Sequence, residues 1–158
     1  MKIYRISNQF VLWHGSPYKF EKFNVSPDSP VYFTAIKEDA IGFAKDKAEI
    51  DEINSKKLWI IKAKVNISNC FDYTNMNHID KLMKNLVSFG YGGMKKTNDL
   101  VFINTKQSIS EGHYLALEDV SINIYKLGFD SYRTKESNAV AVFNPSCITI
   151  LEIYEIKT

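Results

Sequence analysis

Two short stretches decide the fold of this chain, Leu12-Trp13-His14-Gly15-Ser16 and Val31-Tyr32-Phe33-Thr34, and a third of the same kind, Asn138-Ala139-Val140-Ala141-Val142-Phe143-Asn144-Pro145, lies near the end. Each stretch is apolar and places a polar or aromatic residue where the run ends, which predicts a β-strand. A histidine beside a glycine suits a site where the backbone approaches a ligand closely, because glycine has no side chain. The stretches therefore predict strands that carry a binding site.

The composition predicts one globular domain over residues 1-158. The chain is 45% hydrophobic and 13% aromatic with a net charge of +2, which excludes a disordered chain. No run approaches the roughly 20 apolar residues of a membrane span, and polar residues interrupt any signal-peptide core at the N-terminus. We therefore expect a cytoplasmic protein with no membrane partner.

Charge and cysteine content exclude two further classes of protein. With 20 basic and 18 acidic residues, the chain is not a strongly basic nucleic-acid binder, although a local basic patch remains open. Cys70 and Cys147 belong to no CxxC motif and have no histidine at metal-ligand spacing. No metal cofactor is expected.

Hydrophobic periodicity predicts short strands with helices inserted between them. Strands are expected at 10–14, 31–34, 58–65, 129–132 and 140–143, with a last strand from 148. Helices are expected from 37 to about 54, from about 75, and from about 112 to a left-handed glycine cap at Gly128. This pattern predicts an α+β fold.

The order of these motifs resembles that of the ADP-ribosyltransferase superfamily, in the His-Tyr-Glu branch of diphtheria toxin and the poly(ADP-ribose) polymerases. The resemblance covers nearly the whole chain and rests on His-Gly-Ser, Tyr-Phe-Thr, a helix with an aromatic residue, and a late strand before Asn-Pro. It implies two small facing antiparallel sheets with inserted helices. It also implies that NAD is the substrate and that ADP-ribose is transferred to a protein or nucleic-acid acceptor.

The resemblance assigns cofactor-binding roles to the first motif. His14 would hydrogen-bond a hydroxyl of the adenosine ribose. The backbone N–H and C=O of Gly15 would pair with the nicotinamide carboxamide. Ser16 would add a ribose contact.

The second motif and the following helix would complete the site. By the same resemblance, Tyr32 would stack on the nicotinamide and act as a catalytic residue. Phe43 would supply the second aromatic ring, and Thr34 would line the same wall. A cationic ring held between aromatic side chains gains about 0.5–2 kcal/mol per ring.

The third motif departs from the family because Ala139 stands where a catalytic glutamate is expected. Alanine cannot bond the ribose hydroxyl or stabilise the positive charge that develops on the sugar. Three interpretations remain: an engineered inactivating substitution, a natural pseudoenzyme, or a shifted register in which Glu136 or Glu118 supplies the carboxylate. We favour the first, since every position around Ala139 matches the family.

The biological setting follows from the resemblance. A compact transferase of this kind is expected to act as a toxin or effector in a toxin–antitoxin or phage-defence system, or as a phage-encoded modifier, with an antitoxin protein as a possible partner. Two alternatives are kept open. One is a pseudoenzyme that only binds NAD or ADP-ribose, and the other is a small nucleic-acid-binding or nuclease-type toxin.

Overall fold

Strands and helices interleave along the chain. The computed structural model describes residues 9–27, 29–54, 56–89, 118–133 and 139–157. In chain order its elements are β1 (Gln9–Ser16), β2 (Val31–Phe33), α1 (Lys37–Ile50), β3 (Lys57–Asn66), β4 (Cys70–Phe71), α2 (Met76–Phe89), α3 (Glu118–Lys126), β5 (Ser131–Arg133), β6 (Val140–Val142), a 3₁₀ turn (Pro145–Cys147) and β7 (Ile148–Lys157). The predicted α+β class is confirmed.

The strands form two sheets. Sheet 1 has the order β1-β3-β7 and is antiparallel throughout. Sheet 2 has the order β2-β6-β5-β4, and its edge strand β4 runs parallel to β5. The chain between β4 and β5 contains α2 and α3, which is the long crossover that a parallel pair requires. Sheet 2 is therefore mixed rather than purely antiparallel.

The two sheets face each other across an apolar core. Side chains alternate between the two faces of a strand, so Ile61, Ala63 and Val65 of β3 all point to one face of sheet 1. They pack in one cluster with Phe33 and Val142 of sheet 2. The facing arrangement of the sheets is thus built by the inner faces of β2, β3 and β6.

Helix α1 covers the outer face of sheet 1. Ala40, Ala44 and Ala48 are buried at four-residue intervals and pack against Leu58 and Ile60 of β3. The small side chains let the helix lie close to the sheet. The predicted helix is confirmed, although it ends at Ile50 rather than near 54.

The end of α1 carries a left-handed residue that is not glycine. The backbone N–H of Ile53 donates to the Ala48 carbonyl at 2.8 Å, and that of Glu52 donates to the Glu49 carbonyl at 3.1 Å. These two bonds form a Schellman motif, which places Glu52 at the position glycine usually holds. Its φ is 54°.

Helices α2 and α3 cover the outer face of sheet 2. Ile79, Leu82 and Val120 are fully buried and pack against Phe71 and Tyr132. In the part of the chain that the structure describes, no helix is long and apolar enough to cross a membrane.

Glycine ends α3 as the sequence predicts. Gly128 has a φ of 92°, and its N–H donates to the Tyr125 carbonyl at 2.9 Å. The expected start of this helix near residue 112 lies outside the described residues.

Candidate functional site

Strands β1 and β2 belong to different sheets, and one residue pair joins them, between β1 and the residue that directly follows β2. Trp13 donates its N–H to the Thr34 carbonyl at 2.8 Å, and Thr34 donates back to the Trp13 carbonyl at 2.9 Å. Beyond this pair β2 continues in sheet 2, where Tyr32 lies opposite Ala141. The two strands therefore separate, and a gap opens between the ends that carry Gly15 and Tyr32.

The gap exposes the backbone of Gly15. Hydrogen-bonding direction alternates along a strand, so Gly15 directs its N–H and C=O to the same side as Trp13. A continued ladder would pair Gly15 with Tyr32, but β2 has turned away toward β6. A hydrogen-bond donor and an acceptor therefore face the gap side by side.

The imidazole of His14 bridges this gap. Its Nδ1 lies 2.8 Å from the Tyr32 carbonyl oxygen. Because a carbonyl only accepts, Nδ1 carries the proton and the neutral ring presents a lone pair at Nε2. The ring packs edge-on against Phe20, Phe23 and Phe33. Burial lowers the His14 pKa, although the bond to Tyr32 partly offsets this effect.

A cleft of about 630 Å³ occupies the gap. Five of the six residues that the sequence assigns to cofactor binding line it, namely His14, Gly15, Ser16, Tyr32 and Phe43, and so does Ala139. Residues from four distant parts of the chain, in β1, β2, α1 and just before β6, thus share one concave surface. The volume lies in the range of small-molecule sites, roughly 300–1,000 Å³.

A second hollow of about 350 Å³ adjoins the cleft. It shares His14, Ser29, Pro30 and Tyr32 with the cleft and adds Lys22 together with the aromatic rings of Phe20 and Phe23. The two cavities together form an elongated depression around the imidazole of His14.

The loop after β1 closes one rim of the cleft. Ser16 accepts a hydrogen bond from the Tyr18 N–H at 3.0 Å, and the Tyr18 hydroxyl donates to Asp51 at 2.7 Å. Asp51 also accepts from Lys47 of α1 at 3.0 Å. Tyr18 and Lys47 line the cleft but were not predicted, since only the fold brings them to β1.

Thr34 does not line the cleft. Its backbone pairs with Trp13, and its Oγ1 accepts a hydrogen bond from the Ile36 N–H at 3.3 Å, just before α1. The residue is 2% exposed. Thr34 therefore supports the residues just before α1. The prediction that it lines the wall of the cleft is wrong.

Ala139 lies at the edge of two cavities. It directly precedes β6, the neighbour of the strand that carries Tyr32, and is 3% exposed. It lines the main cleft and also a separate cavity of about 320 Å³ near Cys70 and Arg133. Of the alternative carboxylates, Glu136 and the Glu118 side chain lie outside the described residues, and Glu118 begins α3.

Gly15 has a second structural role that the sequence did not indicate. A Cβ at this position would overlap the carbonyl oxygen of Ala40 and would lie 3.1 Å from the Cβ of Ala44. The expected reason for this glycine was the close approach of a ligand. The structure shows that helix α1 also approaches closely here, so the absence of a side chain permits helix packing.

Potential metal ligands are scattered over the described ranges. Within them, no three His, Cys, Asp or Glu side chains are grouped so as to hold a metal ion. Cys70 and Cys147 are free thiols, and burial raises the pKa of each.

Comparison with known proteins gives little further information. No family model matches the chain, and no curated protein matches it. The chain is similar to a solved structure of an anti-CRISPR protein, with 13% identity, over 95% of this chain and 97% of that one, at a TM-score of 0.47. Similarity at this level supports no argument about function.

Proposed function

We propose that this chain is an NAD-dependent mono-ADP-ribosyltransferase of the toxin or effector type, whose cleft binds NAD and whose activity is absent because of Ala139. The observation that carries the proposal is the cleft itself. It places His14, Gly15, Tyr32, Phe43 and Ala139 around one opening between the two sheets. The acceptor is a protein or a nucleic acid, and an antitoxin is a possible further partner.

The backbone of Gly15 supports the nicotinamide end of the proposal. Its N–H and C=O face the gap together, since the ladder to β2 ends at the pair of Trp13 and Thr34. A primary carboxamide carries one acceptor and one donor group and is therefore complementary to this pair. A ring held there would lie between the walls that carry Tyr32 and Phe43.

The imidazole supports the ribose end. His14 is neutral with its proton on Nδ1, so Nε2 accepts a hydrogen bond from a hydroxyl group. The adjoining hollow extends the site past the imidazole, and Lys22 adds a positive charge there. An elongated, negatively charged dinucleotide fits this arrangement.

The surroundings of Ala139 support the proposal that this position is the slot of the catalytic glutamate. A glutamate side chain at this position has space on two sides, because both the cleft and the smaller cavity reach Ala139. Its carboxylate would meet the cleft beside Tyr32, where the proposed reaction develops positive charge. A binding-only pseudoenzyme is the second candidate, since the cleft is formed although its wall lacks a carboxylate.

The decisive experiment restores the carboxylate. Ala139→Glu is expected to release nicotinamide from NAD and to transfer ADP-ribose to cell protein or RNA, at least about 100-fold faster than the chain as it stands. Ala139→Gln is the matched control and is expected to bind NAD with little turnover, because an amide carries no negative charge. Nicotinamide release is measured by chromatography, and transfer is followed with labelled NAD.

Two results would contradict the transferase activity, and a third would contradict only the assignment of the carboxylate to position 139. An inactive Ala139→Glu variant that still binds NAD would favour the binding-only pseudoenzyme. Activity already present in this chain and abolished by Glu136→Ala or Glu118→Ala would move the carboxylate to one of those positions. Absence of NAD binding would exclude both candidates.

A further inference from the structure

Tyr32, Ala141 and Tyr132 form one row across sheet 2. Tyr32 of β2 and Tyr132 of β5 both lie opposite Ala141 of the central strand β6. Neighbouring strands are about 4.8 Å apart, so the two tyrosine backbones are separated by about 10 Å. The methyl side chain of Ala141 leaves open space between them. Two long aromatic side chains can therefore meet above it.

The two tyrosines meet through their hydroxyl groups. Their oxygens are 2.9 Å apart, and their rings pack edge to face with centroids 6.4 Å apart. Tyr132 is fully buried and makes a second hydrogen bond, at 3.1 Å, to the Ser121 hydroxyl of α3. A continuous chain of three hydroxyls thus runs from α3 through β5 to β2.

The row of three hydroxyls holds the hydroxyl end of the Tyr32 side chain. Each hydroxyl has one donor hydrogen, so Tyr132 can donate to one neighbour while it accepts from the other. Burial raises the pKa of Tyr132 far above its usual value, so its hydroxyl keeps its proton at neutral pH. The inner end of Tyr32 is held by the bond between its carbonyl and His14. The Tyr32 ring is therefore held at its hydroxyl by Tyr132, and the backbone that carries it is held by His14.

We infer that Tyr132 is a positioning residue that holds the Tyr32 ring in the orientation needed to stack on nicotinamide. The inference rests on the proposed function of the cleft. Tyr132 is fully buried and is not among the residues that line the cleft, so it acts on a bound ligand only through Tyr32. Tyr132 therefore affects the binding of only that part of a ligand that contacts Tyr32. It strengthens the binding of NAD but not of ADP-ribose, because ADP-ribose lacks the nicotinamide ring.

The test compares two ligands on one variant. Tyr132→Phe keeps the buried ring and removes the hydroxyl. It is expected to weaken NAD binding roughly fivefold, which is the effect of losing one hydrogen bond, and to leave ADP-ribose binding unchanged. Calorimetry on the full chain gives both dissociation constants. Tyr125→Phe, on the exposed side of α3, is the matched control and is expected to change neither.

A double-mutant cycle separates positioning from a general loss of structure. Tyr32→Phe removes the other partner of the same bond, so Tyr32→Phe with Tyr132→Phe is expected to weaken NAD no more than either single change. Ser121→Ala is expected to give a smaller loss in the same direction. If Tyr132→Phe does not fold, the Ser121→Ala variant tests the same hydroxyl row.

Specific outcomes would overturn the inference. Equal weakening of NAD and ADP-ribose by Tyr132→Phe would mean that the residue only supports the fold. Unchanged NAD binding, or additive effects in the cycle, would mean that the hydroxyl chain does not position Tyr32. If the parent chain binds neither ligand, the proposed function itself fails, and the positioning role fails with it.

Discussion

The Nδ1 of His14 and the carbonyl oxygen of Tyr32 are 2.8 Å apart, and this bond joins a strand of sheet 1 to a strand of sheet 2. It occurs where the backbone ladder between those strands has ended. The His14 side chain therefore joins the two strands at a point where their backbones no longer pair. The same residue lines both the cleft and the adjoining hollow.

Replacing His14 tests the nucleotide site. His14→Ala is expected to weaken NAD binding by about 1–3 kcal/mol, since a buried hydrogen-bonding partner is lost. Calorimetry at neutral pH measures the change. His78→Ala is the matched control, because His78 lies on α2 and accepts its hydrogen bond from the Asp72 N–H. Equal binding by both variants and the parent would rule out a role for His14.

The buried imidazole also predicts a pH dependence of stability. Burial holds the folded-state pKa of His14 below its usual value of 6.5, so the unfolded chain takes up the proton first as the pH falls. Stability is therefore expected to decrease as the pH falls through 6.5, by up to about 1.4 kcal/mol per pH unit, until the folded-state pKa is passed. Denaturant unfolding between pH 8 and 5 measures this slope. His14→Gln is expected to show a flatter curve, and an identical slope would disprove the assignment.

Gly15 is expected to tolerate no side chain. Gly15→Ala places a methyl group against the Ala40 carbonyl and forces α1 away from β1, at a cost of about 1–3 kcal/mol or more. Gly42→Ala is the matched control. Gly42 lies on α1, and a Cβ there meets nothing within 4 Å. Alanine is the better helix former, so that change is expected to raise stability by up to about 1 kcal/mol. Similar melting temperatures for both variants would contradict the packing described here.

Glu52 offers a gain in stability. Its φ of 54° is in the left-handed region, which costs a non-glycine residue about 1–2 kcal/mol. Glu52→Gly removes this strain but adds freedom to the unfolded chain, so a net gain of about 0.5–1 kcal/mol is expected. Glu49→Gly, one turn earlier inside α1, is expected to lose about 1 kcal/mol. Thermal unfolding distinguishes the two changes, and a loss at both positions would refute the cap assignment.

Local patterns predicted most of the elements, because their signals lie within a few residues of one another. The alanines of α1 and the alternating residues of β3 are examples of such signals. Strand β4 was missed, since its two residues are too few to show a period and its partner is β5. Pairing with a distant strand decides such a short element.

The site was predictable only in part, for the same physical reason. The motifs with His14 and Tyr32 named residues that line one cleft, because each motif is continuous in sequence. The bond between Tyr32 and Tyr132 joins positions 100 residues apart and leaves no local pattern. The packing of Gly15 on Ala40 is likewise set by the approach of a helix to a strand.

The pair of Trp13 and Thr34 makes the opening of the cleft measurable by hydrogen exchange. Their two amide protons are bonded from one sheet to the other, whereas the amides of Leu12 and His14 face β3 within sheet 1. An amide exchanges only when its bond opens, so the first pair reports on separation of the sheets and the second on unfolding of sheet 1. The protection factor of the first pair therefore gives the free energy needed to part the two sheets while each remains folded, and the higher protection expected for the second pair gives the additional free energy needed to unfold sheet 1.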